Sequence, residues 1–177
     1  MSKTLGNIID PFELVKKYGT DPVRYFLLRE IPPTEDGDFT YEKFDKRYNS
    51  ALAIGLGNLV ARVITLAKSF NFQQFGPELT AEGFSISNEF SNPNFQKIVN
   101  TTQKKHKRAL DEFKFNEALV AIWKLISFCD RYIEREKPWE LLKKIENRKQ
   151  KVEFETIINN LLFALDNIAK LLEPFMP

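Results

Sequence analysis

Two polar side chains four residues apart are the first candidates for chemistry in this sequence. Asn58 and Arg62 lie in the stretch GLGNLVAR, and a helix over residues 41–69 places them side by side. Their helix face otherwise carries small residues, namely Ala51, Gly55, Thr65 and Ser69. An amide and a guanidinium beside a shallow floor suit the polar edge of a flat ligand. The same pattern fits a face packed on another helix, with Arg62 paired to a carboxylate.

Trp139 is the second candidate, because it follows Pro138 at a break between two helices. A tryptophan at such a junction fits a plug in the hydrophobic core. A junction fixed by proline can equally hold the indole outward as a stacking platform for a base. The residue pattern leaves both interpretations open.

The basic residues are clustered although the net charge is only +2. One run is KKHKR at 104–108, and the second comprises Lys143, Lys144, Arg148, Lys149 and Lys151. Such runs fit solvated helix faces, and they also fit contacts to nucleic-acid phosphates. His106 lies inside the first run, so we expect it on a solvated basic face.

Composition excludes several classes of site. Cys129 is the single cysteine, which excludes an internal disulfide and a zinc site built on paired thiolates, and a lone histidine excludes a histidine-based metal or triad site. No apolar run approaches the roughly 18 residues of a membrane span. We therefore predict a soluble cytoplasmic protein without a metal site and without membrane or DNA partners.

The elements that must position these residues are helices. Apolar spacing and cap residues predict helices over 10–18, 21–29, 41–69, 93–113, 115–136 and 151–173, with a short turn after Pro138 and a long connection over 72–93. Prolines and a glycine in IPPTEDGDFTYEKF (31–44) predict a turn and a short extended piece. The buried stripe of the 41–69 helix is predicted to hold Leu52, Leu56, Leu59, Val60, Val63 and Ala67. The bundle begins near residue 41, and a small separate unit precedes it.

Several motifs together resemble one enzyme family. MSKTLGN at the start is similar to the KMSKS signature loop of class I aminoacyl-tRNA synthetases, with its first lysine missing and Thr4 in place of the final serine. The continuation through DGDFTYEKF to GNLVAR, and the later EKPW, resemble methionyl-tRNA synthetases. The resemblance covers essentially the whole chain.

This resemblance implies a fold and a set of roles. It implies a mainly α protein, with a small α/β stem-contact unit at 1–40 and an α-helical anticodon-binding bundle at 41–177. Asn58, Arg62 and Trp139 correspond to the residues that recognise the CAU anticodon of initiator and elongator methionine tRNA. Lys3 corresponds to the signature lysine that stabilises pyrophosphate-side charge during adenylate formation.

Other parts of that family are absent from the sequence. It has no HIGH-type motif, no Rossmann domain and none of the family's zinc-binding cysteines. The resemblance therefore implies the C-terminal piece of a methionine–tRNA ligase, as an expressed domain or a natural subunit. The missing Rossmann domain is an expected partner, and ATP with Mg²⁺ is expected in the intact enzyme and not on this chain alone. The alternatives are the anticodon-binding bundle of the isoleucine, valine, leucine or cysteine enzyme and a non-catalytic helical RNA- or protein-interaction module.

Overall fold

A computed structural model of the chain describes residues 9–33, 37–69, 92–145 and 148–177. Its elements are α1 (Pro11–Tyr18), α2 (Thr20–Glu30), α3 (Tyr41–Arg47), a π-helical segment (Tyr48–Gly57), α4 (Asn58–Ser69), α5 (Pro93–Asp111), α6 (Phe115–Glu136), α7 (Pro138–Lys143) and α8 (Arg148–Leu172). The prediction of a mainly α fold is confirmed. The predicted connection over 72–93 falls almost entirely outside the described residues.

Local capping explains where several helices begin and end. The Asp10 carboxylate accepts the Phe12 N–H at 2.8 Å ahead of Pro11, and Gly19 ends α1 with a φ of 86°. The Asn92 side chain caps α5 in the same way, accepting the Asn94 N–H at 2.9 Å. These helix boundaries follow from signals that are visible in the sequence.

A small aromatic core holds the first helices together. Its buried members are Leu14, Val23, Phe26, Phe39 and Phe44. Thr40 is extended, but residues 9–33 and 37–40 contain two helices and no strand. The α/β description of the stem-contact unit is therefore not supported by the described residues. Phe39 packs its ring edge against Phe26, with ring centroids 5.2 Å apart, so this extended piece contributes a side chain to the core.

The larger core lies where α5, α6 and α8 pack together and where α4 and the π-helical segment cover them. Its fully buried side chains include Leu59, Val63, Phe95, Leu119, Ile122, Ile126, Ile133 and Leu161. Arg24 of α2 ties the N-terminal helices to the far end of the chain, because its guanidinium donates to the backbone carbonyls of Pro174 and Phe175 at 3.0 and 2.9 Å. Helix α2 is thus bonded directly to the C-terminal residues of the described chain.

The π-helical segment changes which residues of the long helix face the core. Ala51, predicted on the small polar face, is buried, whereas Val60, predicted in the buried stripe, is 38% exposed. A π-helix closes hydrogen bonds one residue further along than an α-helix, so a constant period of 3.6 residues gives the wrong face across it. Gly57 fits this packing, because a Cβ there would lie 3.2 Å from the Leu52 carbonyl oxygen five residues earlier.

The continuous helical stretch Tyr41–Ser69 also satisfies the length and composition of a membrane span. Its most apolar window of 18 residues has a mean hydropathy of 1.6, with 22% of that window buried. This differs from the expectation that no apolar run approaches such a length, because an average over 18 residues tolerates isolated polar groups such as Arg62. Leu59, Val63 and Ala67 of the stretch pack into the protein interior.

Candidate nucleic-acid interface

Arg62 and Trp139 lie together although 77 residues separate them in sequence. The Cζ atom of the guanidinium lies 5.8 Å from the centroid of the indole ring, within the range of a cation–π contact. Lys137 takes the left-handed conformation between α6 and α7 (φ 44°, ψ 56°), and the buried Pro138 then starts α7. This sharp turn directs the half-buried Trp139 toward α4. Both interpretations of Trp139 given by the sequence, a core plug and an outward platform, are partly met. One part of the indole packs on the core and another part contacts Arg62.

Two carboxylates of α6 hold the guanidinium from its other side. Arg62 Nη2 donates to Glu134 Oε1 at 2.5 Å, and Nη1 lies 4.0 Å from Asp130 Oδ1. Burial raises the pKa of Asp130, and the positive charge of Arg62 partly opposes this shift. The pairing of Arg62 with a carboxylate, which the sequence pattern allowed as one alternative, is therefore present. A guanidinium has more N–H donors than these contacts use, and the Arg62 side chain is 36% exposed.

Asn58 is the first residue of α4 and is exposed to solvent. It lies one helical turn before Arg62, as the sequence predicted, so the amide and the guanidinium remain neighbours on one α-helix. Gly55, in the π-helical segment before them, adjoins Trp123: a Cβ at this position would lie 3.7 Å from the indole nitrogen. The small face is therefore partly covered at Gly55, whereas Asn58 and Arg62 on the same face remain accessible beside Trp139.

The other predicted residues have different outcomes. Lys3 lies outside the described residues. Lys143 and Lys149 are exposed. His106 is only 6% exposed, so the prediction of a solvated face was wrong for this residue: the ring packs against Phe175 in the core, and only its lysine and arginine neighbours in the run face solvent.

The titratable core groups do not form a metal site within the described residues, where no cluster of three or more His, Cys, Asp or Glu side chains could hold an ion. Cys129 is buried, and burial together with the neighbouring charge of Asp130 raises the pKa of its thiol to about 12. The thiol is therefore protonated at neutral pH.

Sequence reasoning missed Glu134 and Asp130 as partners of Arg62. They are spaced i and i+4 on one helix, as are Asn58 and Arg62 on theirs, and that matched spacing is the signal that could have paired the two helices.

Comparison with known proteins places this chain in a family. Residues 1–64 match the family model of class I tRNA synthetases (M), and residues 94–177 match the anticodon-binding domain of tRNA ligases. The chain is 38% identical over 177 residues to the methionine–tRNA ligase of Caldanaerobacter subterraneus subsp. tengcongensis, and 38% identical over 180 residues to that of Lactococcus lactis subsp. lactis. The chain belongs to the methionyl-tRNA synthetase family. Arg62 lies in the first matched segment and Trp139 in the second.

The family match extends to three dimensions. The fold resembles Mycobacterium tuberculosis methionyl-tRNA synthetase in complex with methionyl-adenylate, with a TM-score of 0.84 and 30% sequence identity over 100% of this chain. The chain covers 33% of that structure, and it spans only 26% and 25% of the two curated relatives. It thus corresponds to about a quarter of the length of the ligases that it resembles.

Proposed function

We propose that this chain binds the anticodon loop of methionine tRNA, initiator and elongator, and recognises the CAU triplet as part of a methionine–tRNA ligase. The observation that carries the proposal is the contact between Arg62 and Trp139 beside the exposed Asn58, in a chain of this family. Bases of single-stranded loops are read by stacking on aromatic rings and by hydrogen bonds to their exposed edges. The cluster offers both kinds of group.

The first anticodon base, cytosine, matches these groups chemically. Its O2 and N3 atoms accept hydrogen bonds and suit the guanidinium of Arg62, while its amino group can donate to the carbonyl of Asn58. Uracil presents an N–H where cytosine has the N3 acceptor, and this leaves donors facing each other at a cost of about 1–3 kcal/mol. Trp139 supplies stacking, which is worth about 1–3 kcal/mol and depends little on the base.

The carboxylate of Glu134 has a supporting part in this proposal. It holds one amino group of Arg62 and thereby restricts the orientation of the planar guanidinium. A base that enters beside Trp139 then meets donors that are already directed. Because the pair is partly exposed, its contribution in the free protein is small.

The remaining parts of the proposal concern the intact ligase. Residues 1–40 act as the signature-loop and stem-contact unit, and residues 41–177 act as the anticodon-binding domain. Lys3 acts on ATP in concert with a Rossmann catalytic domain in the cytoplasm. ATP and Mg²⁺ are assigned to that intact enzyme, and no step through them is assigned to the described residues of this chain.

Binding of two RNA hairpins tests the anticodon assignment. The purified chain is titrated with hairpins that display CAU or UAU, and fluorescence anisotropy is recorded at several salt concentrations. We expect the CAU hairpin to bind more tightly by about 1–3 kcal/mol, the free energy of one mispaired buried edge. Equal affinity for both hairpins would overturn the anticodon assignment and favour the helical interaction module. Tighter binding to an isoleucine-, valine-, leucine- or cysteine-type anticodon would favour the other class I enzymes.

Substitutions assign the separate contributions. Trp139→Ala is expected to lower the affinity for both hairpins by a similar factor, because any base can stack on an aromatic ring. Arg62→Ala is expected to remove most of the preference for cytosine, and Asn58→Ala a smaller part of it. Lys143→Ala and Lys149→Ala are expected to lower the affinity for both hairpins equally and to reduce its salt dependence, because each removes a contact to phosphate. A preference for cytosine that survives Arg62→Ala would remove this residue from the proposal.

A further inference from the structure

A cleft between α2 and α6 is lined by cations without carboxylates. Its volume is about 340 Å³, and it is lined by Arg29, Val120, Trp123, Lys124, Ser127 and Arg131. Three of these six residues are cations and none is a carboxylate. Across the part of the chain that the structure describes, none of the three cations is in an ion pair within 4.0 Å. The lining therefore suits an anion.

Two residues that line this cleft, Arg29 and Trp123, each have a buried hydrogen-bond donor without a partner. The Arg29 Nε and the Trp123 indole Nε1 are buried and make no hydrogen bond with the described residues. The Tyr25 and Trp123 rings are in contact, with centroids 4.7 Å apart, and burial raises the Tyr25 pKa to about 12, so its hydroxyl keeps its proton. Leaving a buried polar group without a partner destabilises the folded state. Arg29 Nε and Trp123 Nε1 can only donate hydrogen bonds, so the group that they lack is an acceptor.

A neighbouring cleft provides a contrast. It has a volume of about 490 Å³ between α5 and α6, and it is also rich in cations. There Glu112 bonds both Arg108 and Lys114, at 2.8 and 2.7 Å, so much of the positive charge is already neutralised within the protein. The cations that line the α2–α6 cleft have no such carboxylate beside them, and two of the three are arginines, whereas a smaller cleft between α5 and α6 has lysines alone as its cations.

The α2–α6 cleft lies near the cluster of Asn58, Arg62 and Trp139, because helix α6 contributes to both. Lys124 and Arg131 lie on the same helix as Asp130 and Glu134, which hold Arg62. Ten residues of α-helix separate Lys124 from Glu134, which is a distance of about 15 Å along the axis. A nucleic-acid strand advances roughly 3 Å per nucleotide along its axis, so a few nucleotides span this distance.

We propose that the α2–α6 cleft binds backbone phosphates of the same RNA whose anticodon base contacts Arg62 and Trp139. This inference rests on the proposed function and extends it to a second set of residues. Phosphate oxygens are charged acceptors that match the fork of the guanidiniums of Arg29 and Arg131, and Lys124 adds a point charge. The cleft fixes where the RNA strand runs and does not distinguish its bases.

The test removes two exposed cations of the cleft with Lys124→Ala combined with Arg131→Ala. We expect CAU and UAU hairpins to lose affinity by the same factor, about tenfold for two exposed charge contacts. The ratio of the two affinities should stay unchanged, and the slope of log affinity against log salt should fall by about 1.5. Lys107→Ala is the matched control, because Lys107 is exposed on α5 and lines neither cleft.

The outcomes separate this inference from the proposed function. Unchanged affinity and salt slope in the double variant, with a normal thermal unfolding midpoint, would overturn the cleft assignment. An equal loss from Lys107→Ala would show a general charge effect and would also overturn it. If the unmodified chain does not distinguish the hairpins but the double variant still loses affinity for both, the cleft assignment holds and the anticodon assignment fails. Arg131→Lys with Lys124 intact should recover most of the affinity, because it keeps the charge and loses only the fork.

Discussion

His106 differs from its neighbours in the basic run because its side chain enters the core. Its ring packs edge-on against Phe175, with centroids 5.8 Å apart, and its Nε2 makes no hydrogen bond with the described residues. Burial lowers the pKa of the imidazole, and a backbone hydrogen bond at Leu171 opposes that shift in part. The folded chain therefore favours the neutral ring more strongly than the unfolded chain does.

This difference predicts a pH dependence of stability with a definite sign. In the unfolded chain the imidazole has its ordinary pKa near 6.5, which lies above its value in the folded chain. As pH falls through and below 6.5, the unfolded state binds the proton first, so the free energy of unfolding should decrease. Urea midpoints at pH 7.5 and 5.5 measure the decrease.

His106→Gln provides the control for this prediction, because no other histidine occurs in the sequence. The variant should lose the part of the pH dependence that lies between these two values, whatever its absolute stability. If the urea midpoint falls by the same amount between pH 7.5 and 5.5 in the variant and in the unmodified chain, another group causes the pH dependence. Carboxylates contribute mainly at lower pH, which is why the comparison stops at 5.5.

Asn160 joins three helices through one fully buried amide. Its Oδ1 accepts the backbone N–H of Asn92 at 2.9 Å, just before α5, and its Nδ2 donates to the Tyr132 hydroxyl of α6 at 3.1 Å. The residue itself belongs to α8 and has no exposed surface. Buried polar groups of this kind fix how elements pack, because each needs its partner in place.

We predict that Asn160→Ala destabilises the bundle by about 2 kcal/mol, since a backbone donor and a hydroxyl both lose their partner. Tyr132→Phe breaks only one of the two bonds and should cost about 1 kcal/mol. Chemical denaturation with circular dichroism measures both values. Asn94→Ala is the matched control, because Asn94 is an exposed asparagine in the first turn of α5 and should change stability by less than either variant. Equal effects at positions 94 and 160 would contradict the role given to the buried amide.

Local signals in the sequence predict most of the helices. Asp10 with Pro11, Gly19, and Pro138 at the end of α6 mark boundaries that the structure reproduces. The π-helical segment was not predictable from periodicity, because its turns are wider than those of an α-helix and shift Ala51 into the core. The α/β expectation for residues 1–40 came from family resemblance, and the described residues there form helices instead.

The candidate site combines residues that only the complete fold brings together. The contact between Arg62 and Trp139 joins α4 to α7, and the α2–α6 cleft joins Arg29 to Lys124 across about 95 residues of sequence. Family resemblance indicated the first pair without showing that they touch. Nothing in the spacing of Arg29, Lys124 and Arg131 indicates the cleft, because neither charge nor periodicity specifies how α2 packs on α6. Helix α6 is the common element, since it carries the carboxylates that hold Arg62 and two of the cleft cations.

We predict that this chain binds RNA but does not activate methionine. By resemblance, adenylate formation requires a HIGH-type motif in a Rossmann domain, whereas the single histidine here is buried in a helical core. Purified chain should therefore give only background ATP–pyrophosphate exchange with methionine, while the same sample binds the CAU hairpin and is thus shown to be folded. In the intact ligase, Lys3→Ala should slow adenylate formation by about 100-fold, the order found when one charge-stabilising donor is removed. Its affinity for the tRNA should remain nearly unchanged, because the loop acts on charge that develops in the reaction. Exchange above background in the isolated chain that disappears with Lys3→Ala would show that the chain carries a catalytic site of its own.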